Sequence, residues 1–179
     1  MWVGVFISLA EIMRQQPPPL LVALAVRLAV AGAAFTVQGS VYNSYTLRNV
    51  RGIAVSGTKL YAAFHSLGYS SGSYQSGLAI VSISSASSPS ILGTYQSYTY
   101  LNGAMRVVVS GSYAFVSASS ARRFTIVNVA SSSSPSFKAS LYDTYFSDVR
   151  GMAISPLNSN YVFMAARSYQ VGHAHRAKF

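Results

Sequence analysis

The sequence has no cysteine, only three carboxylate side chains and only three histidines in 179 residues. Without cysteine there are no disulfides and no thiolate metal sites. Three acids leave little from which to build the paired titratable groups that general acid–base chemistry needs. One of them, Glu11, falls in an apolar N-terminal stretch, and the other two are Asp143 and Asp148. No G-x-S-x-G nucleophile elbow is present. Long hydrophobic runs are scarce as well. The run 20–35 is interrupted by Arg27, it is shorter than the ~20 residues a bilayer-spanning helix needs, and a central arginine is costly there.

The shortage of acids also explains the charge. The formal net charge is +10, yet residues 35–175 hold nine Lys or Arg beside two Asp, with no basic run longer than Arg122-Arg123. A nucleic-acid footprint would cluster its cations on one face or within a known module. No specific nucleic-acid binding is therefore expected, only weak attraction to anionic polymers or membrane surfaces.

What the chain does have is 51% hydrophobic residues, thirteen tyrosines and a phrase that occurs twice. Residues 78–90 read LAIVSISSASSPS and residues 124–136 read FTIVNVASSSSPS, so that Ile80 answers Ile126 and Pro89 answers Pro135 at a spacing of 46. A period in that range marks a repeat architecture. Two further elements keep the same order around it. VRGIAVSG (50–57), MRVVVSG (105–111) and VRGMAISP (149–156) each carry an arginine second: Arg51, Arg106 and Arg150. Upstream of each lies Y-x-[ST]-Y, at 42–45, 95–98 and 142–145. The uneven period traces to the segment 65–76, HSLGYSSGSYQS, an insertion of the kind a surface loop accommodates at small cost.

Within each unit, short segments rich in Val, Ile, Tyr and Phe alternate with Gly, Ser and Pro, the pattern of β-strands and turns. Strands are predicted at 52–56, 59–64, 78–83 and 91–95, again at 106–110, 112–118, 124–129 and 136–142, and then at 151–155 and 160–166. Four strands per unit of about 45 residues matches a propeller blade. A β-sandwich of hairpins is the alternative, although its strands need not recur in sequence.

Residues 77–95 and 123–142 resemble the LVIVD repeat, named for its third-strand signature and found in bacterial and archaeal cell-surface proteins. The resemblance covers about 41–166 and implies a β-propeller with one repeat per blade. The closing Asp of the signature is replaced by Ser82 and Asn128. The expected fold is thus all-β: a partial or incomplete propeller of about three four-stranded blades, preceded by an N-terminal apolar helix. Residues 1–35 read as an apolar leader, a signal peptide or anchor with Arg14 as its cationic flank and Ala31-Gly32-Ala33 as a small-residue cleavage site. Residues 36–167 form the repeats, with 36–45 looking like the outer strand of a preceding blade, and 168–179 an irregular tail. A closed propeller needs about four to eight blades. The chain is therefore expected to be a fragment of a longer propeller, an open arc or a unit that completes itself by assembly.

No catalytic residue, metal site or cofactor is assigned. His173-Ala174-His175 would put two rings on one side of a strand but lacks a third ligand nearby, and Asp143 and Asp148 fit turn capping or pairing with Arg150. The repeated Arg51, Arg106 and Arg150 would sit at one level near the channel mouth. There they would attract an anion, or else bond a neighbouring blade's carbonyls or stack on a tyrosine. Tyr69 and Tyr74 in the insertion form a candidate partner-binding loop. These features describe a non-catalytic secreted or cell-surface module that binds a protein or an anionic extracellular polymer. Its apolar N-terminus would allow membrane anchoring, and its open blade edges would allow self-association. The alternatives are an incomplete propeller enzyme, a hydrolase or lyase on an acidic substrate, or a fragmentary reading frame without a function of its own.

Overall fold

A computed structural model describes residues 37–43, 46–65, 76–155 and 161–167 in full and 172–178 as backbone. The described chain is all-β, in three antiparallel sheets that follow one another in sequence. The first is β1 (Val50–Ser56), β2 (Lys59–Phe64), β3 (Gly77–Ser82) and β4 (Ser90–Gln96). The second is β5 (Ala104–Ser110), β6 (Tyr113–Ala118), β7 (Arg123–Asn128) and β8 (Ser136–Tyr142). The third is β9 (Val149–Ile154), β10 (Tyr161–Arg167) and β11 (Gly172–Lys178). Each is an up-and-down meander, every strand pairing with the next in sequence. A short helix α1 (Tyr98–Leu101) and a 3-10 turn (Thr144–Asp148) carry the chain from one sheet to the next.

Turn chemistry fixes the meanders. Gly57 and Gly111 open the first hairpin of their sheets at φ of +57° and +54°, in the left-handed region where a glycine is unstrained. The serine-rich phrases form the turns between third and fourth strands. Asn128 Oδ1 accepts from the Ala130 N–H at 3.0 Å, and Ser82 Oγ lies 3.5 Å from the Ser84 nitrogen, so the residues that replace the signature Asp face the turn's amides.

The core lies between the sheets. Tyr61, Ala63, Leu78 and Ile80 of the first sheet pack on Leu101, Val107, Val116 and Val127. The opposite face of the second sheet, Phe115 and Phe124, packs on Phe146, Val149, Val162 and Met164. A third cluster covers the far face of the first sheet, where Val41 and Leu47 lie on Ala62, Phe64 and Val81. The middle strands are therefore buried on both faces, which is why KLYAAF and GLAIVS read as continuous apolar runs rather than alternating ones. Among the described residues no helix is long and apolar enough to cross a membrane.

Three sheets packed face to face, with first strands β1, β5 and β9 adjacent, are consistent with part of a propeller. The third expected blade differs in two ways. It has three strands among the described residues, and the tail expected to be irregular supplies one of them. Gly172–Lys178 pairs along the whole of β10, from Tyr161↔Lys178 to Arg167↔Gly172. The ladder is made by main-chain groups, so the open edge of β10 orders a segment whose side chains carry no strand pattern. Residues 1–35, with the expected apolar helix, lie outside the described residues.

Candidate functional site

Each first strand carries a bulge near its start. Val50 faces Phe64 and Gly52 faces Ala63, which leaves Arg51 as the extra residue. In β5, Ala104 faces Ala118 and Arg106 faces Ser117, leaving Met105. In β9, Val149 faces Ala166 and Gly151 faces Ala165, leaving Arg150. Arg51, Met105 and Arg150 are thus structural counterparts, and so are Gly52, Arg106 and Gly151. The arginines that match in sequence are one residue out of step in the middle copy, and one residue of slip turns a side chain to the other face of a strand.

The elements upstream show the same slip. Asn43, Ser97 and Asp143 each accept from a backbone N–H two or three residues on, those of Thr46, Tyr100 and Tyr145. Each cap is followed by a buried plug, Leu47, Leu101 or Phe146, whose N–H bonds the cap carbonyl. Y-x-[ST]-Y therefore marks an outer-strand end with its cap, shifted by one in the middle copy, and Asp143 is one of the caps.

The consequence falls on Arg106. Its guanidinium donates from Nε to the Arg150 carbonyl at 2.8 Å and from a terminal nitrogen to the Arg51 carbonyl at 2.7 Å. One side chain ties the first strands of all three sheets together, and the fork geometry of a guanidinium lets it reach two carbonyls at once. Arg150 is held by Asp148, Nε to Oδ1 at 2.7 Å with a second bond at 2.9 Å. Arg51 is exposed, and its side chain makes no hydrogen bond or ion pair among the described residues. The Arg106 side chain meets the backbone of both Arg51 and Arg150, and the three side chains stand in three different states: tether, ion pair and exposed cation.

Sequence reasoning passed over Ser76, one serine among many. It is 1% exposed, and its Oγ lies 2.9 Å from His65 Nδ1 and accepts from the Gly103 N–H at 3.2 Å. The contact fastens both ends of the 65–76 insertion to the start of the second sheet. Burial lowers the His65 pKa, and the Arg51 charge lowers it further. The unfolded chain, with an ordinary value of about 6.5, then binds the proton more readily than the folded one. Stability should be complete above that value, decline as the pH falls below it and level off below the folded value. Thermal unfolding of wild type and His65→Gln across this range checks it: the variant should lose that part of the decline.

Tyr69 and Tyr74 lie outside the described residues. His173 and His175 are placed by their backbone on β11, opposite Ala166 and Met164. Among the described residues no group of three His, Cys, Asp or Glu could hold a metal.

Residues 72–97 and 103–144 match the family model of the LVIVD repeat. The match covers less than half of the chain and lies in the first two sheets. The second matched segment spans the whole second sheet, β5 to β8, and the first spans β3 and β4. The LVIVD repeats include the serine-rich turns, and the structure gives those turns a partner. A Cβ on Gly93 of β4 would lie 2.4 Å from the Ser132 carbonyl, so the turn of one sheet seats against the outer strand of the sheet before it. No curated protein matches the chain. A crystal structure of a candidate 6-phosphogluconolactonase from Bacteroides uniformis is similar over 72% of this chain and 43% of its own length, at 10% identity and a TM-score of 0.48. The chain thus spans less than half of that protein, and so distant a likeness says nothing of activity here.

Proposed function

We infer that the LVIVD repeats form a non-catalytic β-propeller module, secreted or displayed at the cell surface, that binds an anionic extracellular polymer where β1, β5 and β9 converge. The observation that carries this reading is the charge balance at that end. Arg106 holds the three strand starts together, Arg150 is neutralised by Asp148, and Arg51 is left exposed beside His65. Asp143 caps the 3-10 turn through its side chain. Carboxylate or sulfate groups would meet Arg51 first, and an anion there would also favour protonation of His65. Location outside the cell rests on the apolar, cation-flanked N-terminus.

Salt-gradient elution from a sulfated polysaccharide matrix tests this. Arg51→Gln should weaken binding about fivefold, the effect of ~1 kcal/mol. Lys59→Gln removes the same charge from the opposite end of the first sheet and should change binding less. Equal shifts for the two variants would reduce the attraction to net charge alone. Arg106→Gln should instead lower stability by about 1–2 kcal/mol, since two charge-assisted hydrogen bonds between sheets are lost from an exposed position.

A further inference from the structure

One arginine of the second sheet is held between two rings with most of its donors unspent. Arg123 starts β7, between Ala118 of β6 and Tyr142 of β8. Its guanidinium lies 5.5 Å from the centroid of the Tyr100 ring and 5.7 Å from that of Tyr142, distances at which a cation is drawn to a ring face. Tyr100 is fixed in its turn. It stacks on Phe137 with centroids 4.3 Å apart, and its carbonyl accepts from the buried Thr125 hydroxyl at 2.8 Å, which ties α1 to β7. A guanidinium presents a fork of N–H donors. Among the described residues Arg123 gives one hydrogen bond, from a terminal nitrogen to Ser140 Oγ at 3.3 Å, and pairs with no carboxylate. Asp143 follows Tyr142 in sequence, but its carboxylate accepts from the Tyr145 N–H.

The fold does not require this arrangement. Gly77 and Gln96 stand at the matching places in the first sheet, Gly77 at the start of β3 and Gln96 opposite it in β4. That sheet forms the same meander with neither cation nor ring there. The surroundings of Arg123 are aromatic and basic. Tyr142 is 54% exposed and Tyr98 of α1 64%, and Arg122 and Lys138 are exposed as well. Ala104, Ala118, Arg123 and Tyr142 form one row across the second sheet, next to the row of Arg106. Arg123 therefore lies at the end of the sheet where β1, β5 and β9 converge, two strands or about 10 Å outward from β5.

We propose that Arg123, braced by Tyr100 and Tyr142, is a binding site for one carboxylated sugar residue of an extracellular polysaccharide. The carboxylate takes two parallel N–H bonds from the guanidinium fork, and the apolar C–H face of the sugar ring lies against Tyr142. Because the rings already order the arginine, little freedom is lost on binding. Lysine would not serve, since an ammonium is a point charge without the planar fork. The inference rests on the reading of the ligand as an anionic polymer, and adds the residues that would tell a sugar acid from another acidic chain. A single-stranded nucleic acid would want a groove of cations along its backbone, and the cations here, Arg122, Arg123 and Lys138, are few. An acidic peptide has no sugar ring to lay on Tyr142.

Calorimetric titration of the purified full chain with oligogalacturonate and with its methyl ester tests this. The acid should bind about tenfold more tightly than the ester, which keeps the sugar ring and loses the charge. Arg123→Lys keeps the charge of the protein and should abolish most of that preference. Tyr142→Leu should weaken both ligands about threefold or more, and Tyr142→Phe should bind them as the wild type does. Lys138→Gln removes a charge from the same sheet and should change binding less than Arg123→Lys. If Arg123 only braces the sheet, Arg123→Lys will lower the unfolding midpoint and leave the preference for the acid intact, which overturns the site. Arg51→Gln separates this site from the convergence of β1, β5 and β9. Weakening by Arg51→Gln alone would overturn the Arg123 site and leave the convergence reading standing. Weakening by Arg123→Lys alone would support the site and overturn the convergence reading. Polyglutamate or oligothymidylate bound as tightly as oligogalacturonate would overturn the sugar as occupant, and no binding of oligogalacturonate by the wild type would overturn the site outright.

Discussion

Alanine at Gly52 is expected to destabilise the protein by the upper part of the ~1–3 kcal/mol range for overpacked cores, while alanine at Gly151 leaves the unfolding midpoint of dilute protein unchanged. The two glycines are counterparts, one residue past the bulge in β1 and in β9. At Gly52 the new methyl would lie 2.4 Å from the Met105 carbonyl and 2.9 Å from the Arg106 Cα. Both are backbone atoms of a neighbouring strand, so the first and second sheets must separate to admit it. They can separate only by opening the seam that buries Tyr61, Leu78 and Val116 and by lengthening the bond from Arg106 to the Arg51 carbonyl. At Gly151 the nearest atom is a methyl carbon at ordinary contact distance. Chemical denaturation of both variants measures the difference. Equal losses would mean that the seam does not set the cost.

Phe115→Ala carries the largest expected loss, about 3–5 kcal/mol. Phe115 is fully buried in the middle sheet, with its ring 6.0 Å from that of Phe124, which in turn meets Phe146 at 6.4 Å. Truncation leaves a cavity between the second and third sheets that surrounding ladders hold open. Against a typical total of ~5–15 kcal/mol, the variant should unfold early, and the third sheet should lose protection from hydrogen exchange first, because Phe115 lies in its seam with the second sheet. A Phe115→Leu variant should recover most of the loss. If Phe115→Ala cost less than 1 kcal/mol, the second and third sheets would not form one core.

The alternation of apolar segments with Gly, Ser and Pro was enough to locate the strands in the first two units, and the repeated phrase was enough to set their order. Sequence matching failed at one point, by one residue. Arg51, Arg106 and Arg150 align by identity, but MRVVVSG is one residue shorter than its two relatives. The bulge falls at the matching position in all three strands, five residues before Ser56, Ser110 and Ser155, which makes Met105 and not Arg106 the counterpart of the flanking arginines. Nothing local records where a bulge falls, because it is defined by pairing with another strand. Ser76 was illegible for a related reason. Its hydrogen bonds reach His65 and Gly103, 11 and 27 residues away, and a serine-rich chain hides such a residue among its neighbours.

The sequence alone therefore determined the all-β class of fold, the likeness to the LVIVD repeat and the turns. These depend on periodicity and on backbone preferences that act over a few residues. Tertiary structure alone decided what each repeated residue does. It made Arg106 a tether, Arg150 half of an ion pair and Arg51 an exposed cation, because each role depends on which sheet lies alongside. It also ordered 172–178 as a strand against the pattern of its side chains, because an open ladder edge offers main-chain hydrogen bonds to whatever segment reaches it.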